Sequence, residues 1–143
     1  MLTYLENFQD LFKIADSWYK VHCIASDLYM GAGIAVPMRL KYNLRELIEK
    51  TGYNGDWPNC ILVNRVFNLI TKEKSCDKPS YGSLYASLKM MKKQLIDKKI
   101  KHIAMPKIGC GLDRLCWVDV RSMILNVFED IENITILVCK RKG

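Results

Sequence analysis

The order of two hydrophobic periodicities along the chain most restricts what it can fold into. Short runs rich in β-branched residues alternate with longer stretches in which apolar residues recur every three or four positions. Strands and helices in alternation predict an α/β protein whose helices cover a largely buried mixed sheet. The predicted strands are residues 2–5, 19–24, 61–63, 66–70, 100–104 and 134–138.

Three amphipathic helices are predicted between these strands. Ser80 is the expected N-cap of the first helix, a second helix occupies residues 120–131, and a third runs over residues 34–49. Residues 51–59, which contain two glycines and a proline, are predicted to form a surface loop. The expected inward-facing sets are Leu84, Leu88, Met91 and Leu95; Val120, Met123, Ile124, Val127, Phe128 and Ile131; and Leu40, Leu44, Leu47 and Ile48.

Length and composition predict one globular domain over residues 1–143. Half of the residues are hydrophobic and 26% are charged, which is typical of a soluble protein. No apolar run approaches the ~20 residues that a membrane span needs, and the first residues lack the pattern of a signal peptide. We therefore expect an intracellular protein, cytoplasmic or nuclear, with no membrane partner.

The cysteines predict neither disulfides nor a metal centre. Their positions are scattered with no close pair, and several lie in apolar stretches, so reduced core thiols are favoured. Only two histidines are present, and no two thiols have the spacing of zinc ligands. We expect no metal and no cofactor. The cysteines are Cys23, Cys60, Cys76, Cys110, Cys116 and Cys139.

A formal net charge of +7 predicts an anionic partner without specifying it. Nucleic acid, phosphorylated metabolites and simple solubility all stay open. Aromatic residues are not interleaved with the lysines, which argues against a stacking platform for single strands. The helical lysines are better explained as a solvated face. The charge is concentrated in Lys89, Lys92, Lys93, Lys98, Lys99 and Lys101, and in Lys140, Arg141 and Lys142.

Two glycine-rich segments, residues 30–35 and 106–113, each follow a predicted strand and precede a helix. Glycine lets backbone N–H groups approach an anion closely, and a following helix N-terminus favours negative charge. Ligands of α/β sheets collect at the carboxyl ends of the strands. Two such loops at one edge would suit a diphosphate, although neither completes a dinucleotide or P-loop motif.

Lys72 and Asp113 each have two open interpretations. Lys72 directly follows a predicted strand, so it is either a solvated lysine or an amine that can become a nucleophile when desolvated. Asp113 either caps the next helix or places a carboxylate beside a ligand.

Four segments in order carry a family resemblance: residues 22–36, 69–72, 78–81 and 106–115, the last followed by Trp117. Together they resemble the terminal ADP-ribose protein glycohydrolase branch of the macrodomain superfamily. The resemblance implies a three-layer α/β/α fold with a mixed central sheet and an ADP-ribose cleft at the edge of the sheet. Gln9 and Ala25 depart from the pattern, where the family has glycine and serine, which weakens the adenine contact and one ligand hydrogen bond.

The resemblance also implies an activity. The expected enzyme removes ADP-ribose from acidic residues of proteins, or deacylates O-acyl-ADP-ribose, through a covalent adduct on Lys72 assisted by Asp113. A non-catalytic ADP-ribose reader stays open, as does a hydrolase of ADP-ribosylated nucleobases or of ADP-ribose 1″-phosphate. The expected partners are ADP-ribose and ADP-ribosylated proteins, with nucleic acid as a modified substrate or weak surface contact, and the chain is expected to be a monomer.

The resemblance assigns the ligand contacts residue by residue. Asp10 matches the adenine-binding aspartate, residues 31–34 border the distal ribose, and residues 108–112 wrap the diphosphate and that ribose. The expected substrate-binding residues are Asp10, Leu11, His22, Met30, Gly31, Ala32, Gly33, Ile34, Thr71, Pro106, Ile108, Gly109, Cys110, Gly111 and Leu112.

Overall fold

The computed structural model describes residues 2–141, so Lys142 of the basic chain end lies outside the described residues. Within this range one sheet runs through the molecule and four α-helices flank it. The strands are β1 (Leu2–Phe8), β2 (Tyr19–Ala25), β3 (Asn59–Val63), β4 (Val66–Lys72), β5 (His102–Met105) and β6 (Ile134–Lys140). The helices are α1 (Ala35–Tyr42), α2 (Leu44–Lys50), α3 (Tyr81–Asp97) and α4 (Trp117–Phe128), and a short 3-10 helix covers Leu11–Lys13.

The sheet is mixed, with strand order β1-β6-β5-β2-β4-β3. The neighbouring pairs β1–β6, β6–β5, β5–β2 and β2–β4 are parallel. At the other edge of the sheet, β3 pairs antiparallel with β4. The carboxyl ends of β1, β6, β5, β2 and β4 therefore meet at one edge of the sheet. Loops that leave these strands are brought together there.

Helices cover both faces of the sheet and bury two hydrophobic clusters. On one face, α3 and α4 pack against residues such as Phe67 and Ile136. On the other face, α1 and α2 place Met38, Leu44 and Ile48 against the sheet. This arrangement confirms the expected three-layer α/β/α architecture with a mixed sheet.

The N-terminus of α3 confirms the predicted cap. The Ser80 hydroxyl accepts from Ser83 N at 2.9 Å, and the Ser83 hydroxyl accepts from Ser80 N at 3.1 Å. This reciprocal pair satisfies two N–H groups that the first turn would otherwise leave free. The predicted stripe Leu84, Leu88, Met91 and Leu95 is fully buried beneath it.

The expected third helix over residues 34–49 is wrong as a single element. Asn43 adopts a left-handed conformation, with φ 54° and ψ 44°, and separates α1 from α2. Asparagine tolerates this conformation better than most residues, and it turns the chain. Leu40, expected to face inward, is 67% exposed, whereas Leu44 and Ile48 are buried as predicted.

Several strand ends also differ from the predictions. β4 continues through Lys72, which was expected to follow the strand, and β3 already begins at Asn59. β5 begins at His102 rather than at residue 100. The left-handed conformation of Lys99, φ 55°, turns the chain just before Ile100 and delays the start of pairing.

The surface of α3 fits the expected solvated face, because Lys89, Lys93, Lys98 and Lys99 are exposed. The cysteines of the described range are free thiols. Across residues 2–141, no helix combines the length and hydropathy that crossing a membrane requires.

Candidate active site

A long cleft lies at the edge where the parallel strands end. One part has a volume of about 630 Å³ and is lined by both glycine-rich segments together with Lys72 and Asp113. A second part, of about 710 Å³, is lined by residues 8–12 and the end of β6. Gly33, Ile34 and Pro106 line both parts, so the two form one continuous cleft.

An ion pair lies on the wall of the first part of the cleft. The Lys72 ammonium donates to Asp113 Oδ1 at 2.6 Å, and the two side chains are 13% and 15% exposed. β4 is buried up to Thr71, so Lys72 is the first of its side chains to leave the core. The structure thereby joins the two residues that the resemblance singled out, although 41 positions separate them in sequence.

The first glycine-rich segment leads directly into α1, as predicted. Gly33 has φ +59°, and a Cβ at Gly31 would collide with the ring of Tyr29. The N-cap residue Ile34 provides no side-chain acceptor, and Ala35 at the start of the helix lines the cleft. A helix N-terminus without a capping side chain favours an anionic ligand through its dipole.

The second glycine-rich segment differs from the expectation, because it does not enter a helix at once. Gly109 has φ +73°, and Arg114 turns the chain again with φ 63° before α4 begins at Trp117. The N-cap of α4 is Cys116, so Asp113 is not a helix cap. This segment can therefore bind an anion through its own backbone N–H groups but gains no dipole from an adjoining helix.

A lysine from the loop after β4 fixes this second segment. Lys78 Nζ donates to Leu112 O at 2.7 Å, next to Asp113. Leu112 is 61% exposed, and its side chain reaches across to Gly33, where a Cβ would lie 3.3 Å from Leu112 Cδ1. The Leu112 side chain of the second glycine-rich segment thus lies close to Gly33 of the first.

Asp10 and Leu11 lie in the second part of the cleft, as the resemblance implied. Asp10 is the N-cap of the short 3-10 helix, and its Oδ1 accepts from Phe12 N at 2.9 Å. The carboxylate is therefore oriented by the backbone while its other oxygen stays available. Leu11 is only 4% exposed and supports the floor beneath it.

His22 and Thr71 are not brought to the cleft. His22 is fully buried, with Nε2 2.5 Å from Asn68 Oδ1, and burial lowers the pKa of the imidazole to about 4 despite that hydrogen bond. Thr71 is 1% exposed. All the other predicted substrate-binding residues line one or both parts of the cleft: Asp10, Leu11, Met30, Gly31, Ala32, Gly33, Ile34, Pro106, Ile108, Gly109, Cys110, Gly111 and Leu112.

Thiols in the cleft are held in their protonated form. Burial raises the pKa of Cys110 and of Cys139 to about 11, and burial also raises the pKa of Cys23. A thiol reacts as a nucleophile only as its thiolate. This leaves the lysine amines that line the cleft as candidate nucleophiles, and among them Lys72 forms an ion pair with a carboxylate, that of Asp113.

Sequence reasoning did not find several residues that line the cleft. Lys140 and Arg141 belonged to an apparent basic chain end, yet β6 lies between β1 and β5 and carries them to the carboxyl edge. Position at a strand's carboxyl end was the signal that could have identified them. No group of three or more metal-ligating side chains suited to an ion occurs in the part of the chain that the structure describes. The further lining residues are Phe8, Gln9, Phe12, Cys23, Ile24, Ala25, Ala35, Pro37, Ser75, Lys78, Lys107 and Cys139.

The architecture matches that of solved macrodomains. The macrodomain of Mycobacterium tuberculosis DarG has a TM-score of 0.83 at 21% identity, covering 100% of this chain and 99% of that chain. Thermosipho africanus DarTG, solved in complex with ADP-ribose, has a TM-score of 0.74 at 14% identity, covering 96% of this chain and 41% of that chain. The fold is a macrodomain fold.

Sequence relatives narrow this class. The ADP-ribose glycohydrolase OARD1 of Homo sapiens is 38% identical over 130 residues, which cover 90% of this chain and 84% of that protein. OARD1 of Bos taurus gives the same figures. No family model matches the chain. The chain belongs to the family of the macrodomain ADP-ribose glycohydrolase OARD1, which confirms the resemblance carried by the four sequence segments.

Proposed function

We propose that this protein binds ADP-ribose in the cleft and hydrolyses the bond between ADP-ribose and an acidic residue of a protein. The observation that carries the proposal is the Lys72–Asp113 ion pair, 2.6 Å between Nζ and Oδ1, in the wall of a cleft at the carboxyl edge of the sheet. Membership of the OARD1 family supports it, because those relatives are ADP-ribose glycohydrolases.

The cleft suits the parts of ADP-ribose in order. The diphosphate carries the negative charge, and the N-terminus of α1 favours it through the helix dipole, beside the backbone of residues 108–112. Asp10 lies at the far end, where its free carboxylate oxygen would accept from the adenine amino group. The distal ribose then lies beside Lys72.

The reaction begins with a proton transfer within the ion pair. Lys72 passes a proton to Asp113 along their hydrogen bond, and the neutral amine attacks the anomeric carbon of the distal ribose. A bond forms between Nζ and this carbon while the bond to the acyl oxygen breaks, and the carboxylate of the acceptor protein departs.

Water completes the cycle. Asp113, after losing its proton to solvent, removes a proton from a water molecule that attacks the same carbon, and the bond to Nζ breaks. Asp113 returns its proton to the neutral Lys72 amine, which restores the ion pair, and free ADP-ribose leaves. The same adduct would form from O-acyl-ADP-ribose, because the ribose and the acyl leaving group are alike.

The test uses protein that is mono-ADP-ribosylated on glutamate, with release of ADP-ribose followed by mass spectrometry. The wild type should release ADP-ribose and Lys72→Ala should not, while calorimetry shows that Lys72→Ala still binds ADP-ribose. Lys92→Ala is the control, because Lys92 forms a 2.6 Å ion pair with Asp130 away from the cleft. Hydrolysis by a folded Lys72→Ala protein at the wild-type rate would exclude the covalent mechanism.

A second candidate function is an ADP-ribose reader that does not hydrolyse its ligand. The same ion pair favours it, because Lys72 Nζ and Asp113 Oδ1, 2.6 Å apart, hold each other in the cleft wall and do not direct the amine at a ligand. A reader would bind ADP-ribose equally well with and without Lys72 and would release none from modified protein. Substrates carrying ADP-ribose on a nucleobase or as the 1″-phosphate, tested in parallel, would separate these leaving groups.

A further inference from the structure

The segment that precedes the first glycine of the cleft is held in an unfavourable conformation. Leu28 has φ 57° and Met30 has φ 47°, so two non-glycine residues adopt left-handed backbone angles within three positions. Such residues persist only where their surroundings fix them, and they concentrate at functional sites. Met30 is 4% exposed and lines the cleft beside Gly31.

Arginines from the two helices α1 and α2 occupy the carbonyl groups of this segment. Arg45 Nε donates to Leu28 O at 2.8 Å, and Arg45 Nη2 donates to Tyr29 O. Arg39 Nε lies 3.5 Å from Met30 O. Arg45 therefore grips two successive carbonyls with one planar guanidinium group, which lysine cannot reproduce.

On its other side the same segment is tied to the loop that follows Lys72. Asp27 Oδ1 accepts from Tyr29 N at 2.9 Å and from the Ser75 hydroxyl at 2.8 Å, while Oδ2 accepts from Ser75 N at 2.7 Å. Ser26 N also donates to Lys72 O at 2.9 Å. The Asp27 carboxylate thus joins the segment to the loop that leaves the strand carrying Lys72.

The charge state of Asp27 suits this role. Burial raises the pKa of its carboxyl, but the hydrogen bonds from Tyr29 and Ser75 outweigh it and hold the pKa below the ordinary value. The carboxylate is therefore ionised at neutral pH and accepts hydrogen bonds through both oxygens.

We propose that Arg45 and Asp27 are positioning residues for the reaction at Lys72: they hold Leu28 and Met30 in their left-handed conformations, so that Met30 and Gly31 keep their place in the cleft wall relative to the lysine. This inference rests on the proposed hydrolytic function. Errors of about 1 Å in positioning cost up to ~100-fold in rate. We call the contacts of Arg45 with Leu28 O and Tyr29 O the Arg45 clamp, and those of Asp27 with Tyr29 and Ser75 the Asp27 clamp. Loss of either clamp should therefore lower kcat more than it weakens ligand binding.

The first test replaces Arg45 by lysine and by alanine. We expect kcat to fall about 10- to 100-fold in both, while KM and the Kd of ADP-ribose change less than about threefold. Arg65→Lys is the matched control, because Arg65 also donates to a backbone carbonyl, Asp16 O at 3.5 Å, but at the opposite end of β4. If both Arg45 variants are folded and keep the wild-type kcat, the proposal is wrong.

The second test concerns the Asp27 clamp, which joins the segment to the loop after Lys72. Ser75→Ala removes the hydroxyl bonded to Asp27 and should lower kcat about two- to tenfold, and Ser75→Thr should restore it. Asp77→Asn is the control within the same loop, since its Oδ2 accepts from Lys74 N at 3.0 Å and not from the Leu28–Met30 segment. Equal losses in Ser75→Thr and Ser75→Ala would contradict a role for the hydroxyl.

Hydrogen exchange of the amides in residues 26–31, measured without substrate, separates this inference from the proposed function. If the wild type releases no ADP-ribose, the proposed function fails. The Arg45 clamp is then tested by hydrogen exchange alone, and the amides of residues 26–31 should exchange faster in Arg45→Ala than in the wild type. Unchanged exchange in Arg45→Ala would overturn the inference, whether or not the wild type is active.

Discussion

Two polar pairs of this protein each include a residue of β4 but have opposite surroundings. His22 on β2 meets Asn68 on β4 with 2.5 Å between Nε2 and Oδ1, and both side chains are fully buried. Lys72, at the end of β4, meets Asp113 at 2.6 Å in the wall of the cleft. One pair is enclosed by the core and the other is open to a ligand.

Position along the strand accounts for the difference. His22 and Asn68 pair in register in the middle of β2 and β4, where helices cover the sheet on both sides. The amide of Asn68 is also occupied, since it donates to Ile61 O and Val66 O. Lys72 lies four residues further along, where β4 leaves the core. Residue type does not separate a buried polar group from one that lines the cleft here, but distance from the carboxyl end of the strand does.

The largest effect expected from this comparison is the loss of activity in Asp113→Ala. Without the carboxylate, the proposed acceptor of the lysine proton and activator of the water is missing, so hydrolysis should fall about 100- to 10,000-fold. Asp130→Ala, which removes the partner of Lys92 outside the cleft, should keep the wild-type rate. Release of ADP-ribose from modified protein measures both. An active Asp113→Ala protein would show that the open pair has no role in turnover.

The enclosed pair should show the opposite result. His22→Ala leaves Asn68 Oδ1 without a partner and opens a cavity in the core, which should cost about 2 to 4 kcal/mol in the free energy of unfolding. The rate per folded molecule should stay the same. His102→Ala, at an exposed histidine, should cost less than about 1 kcal/mol. A fall in kcat for His22→Ala without loss of stability would place this residue in the ligand site after all.

The same pair predicts a pH dependence of stability. Burial lowers the pKa of His22 from 6.5 to about 4, so the unfolded chain binds more protons than the folded one between these values. The free energy of unfolding is therefore unaffected by the titration of His22 above about pH 6.5. It falls as the pH drops towards 4, by at most about 3 kcal/mol, because the unfolded chain takes up the proton first. Denaturant unfolding of the wild type and His22→Gln from pH 7 to pH 4 measures it. If the unfolding free energies of the two proteins change with pH in parallel, His22 is not the group responsible for the pH dependence.

Sequence reasoning found what local patterns encode. β-branched runs and the stripe Leu84–Leu95 specify elements by themselves, and glycines after strands mark loops at the carboxyl edge. The break at Asn43 was missed because apolar periodicity continues across it. Only the left-handed conformation of one residue divides the helix, and the pattern does not record it.

The set of residues that meet at the site is determined mainly by the order of the strands in the sheet, and no local sequence pattern specifies that order. Lys72 and Asp113 meet because β5 and β4 both flank β2, and the loop after β5 folds back over the end of β4. The same order brings Lys140 to the cleft and leaves His22 within the core. The family resemblance pointed to Lys72 and Asp113, since composition and spacing alone left both residues ambiguous.

The smallest expected effect concerns a third pair that resembles the open pair in distance alone. Lys92 Nζ lies 2.6 Å from Asp130 Oδ1, as close as Lys72 to Asp113, but Asp130 is 69% exposed. Solvent and salt screen such a pair, so Lys92→Ala should change the free energy of unfolding only slightly, and less than His22→Ala does. Chemical denaturation at low and high salt measures this change. A larger loss of unfolding free energy that does not depend on salt would mean that the short distance itself stabilises the protein. Burial would then explain less of the difference between the Lys72–Asp113 and Lys92–Asp130 pairs than we infer.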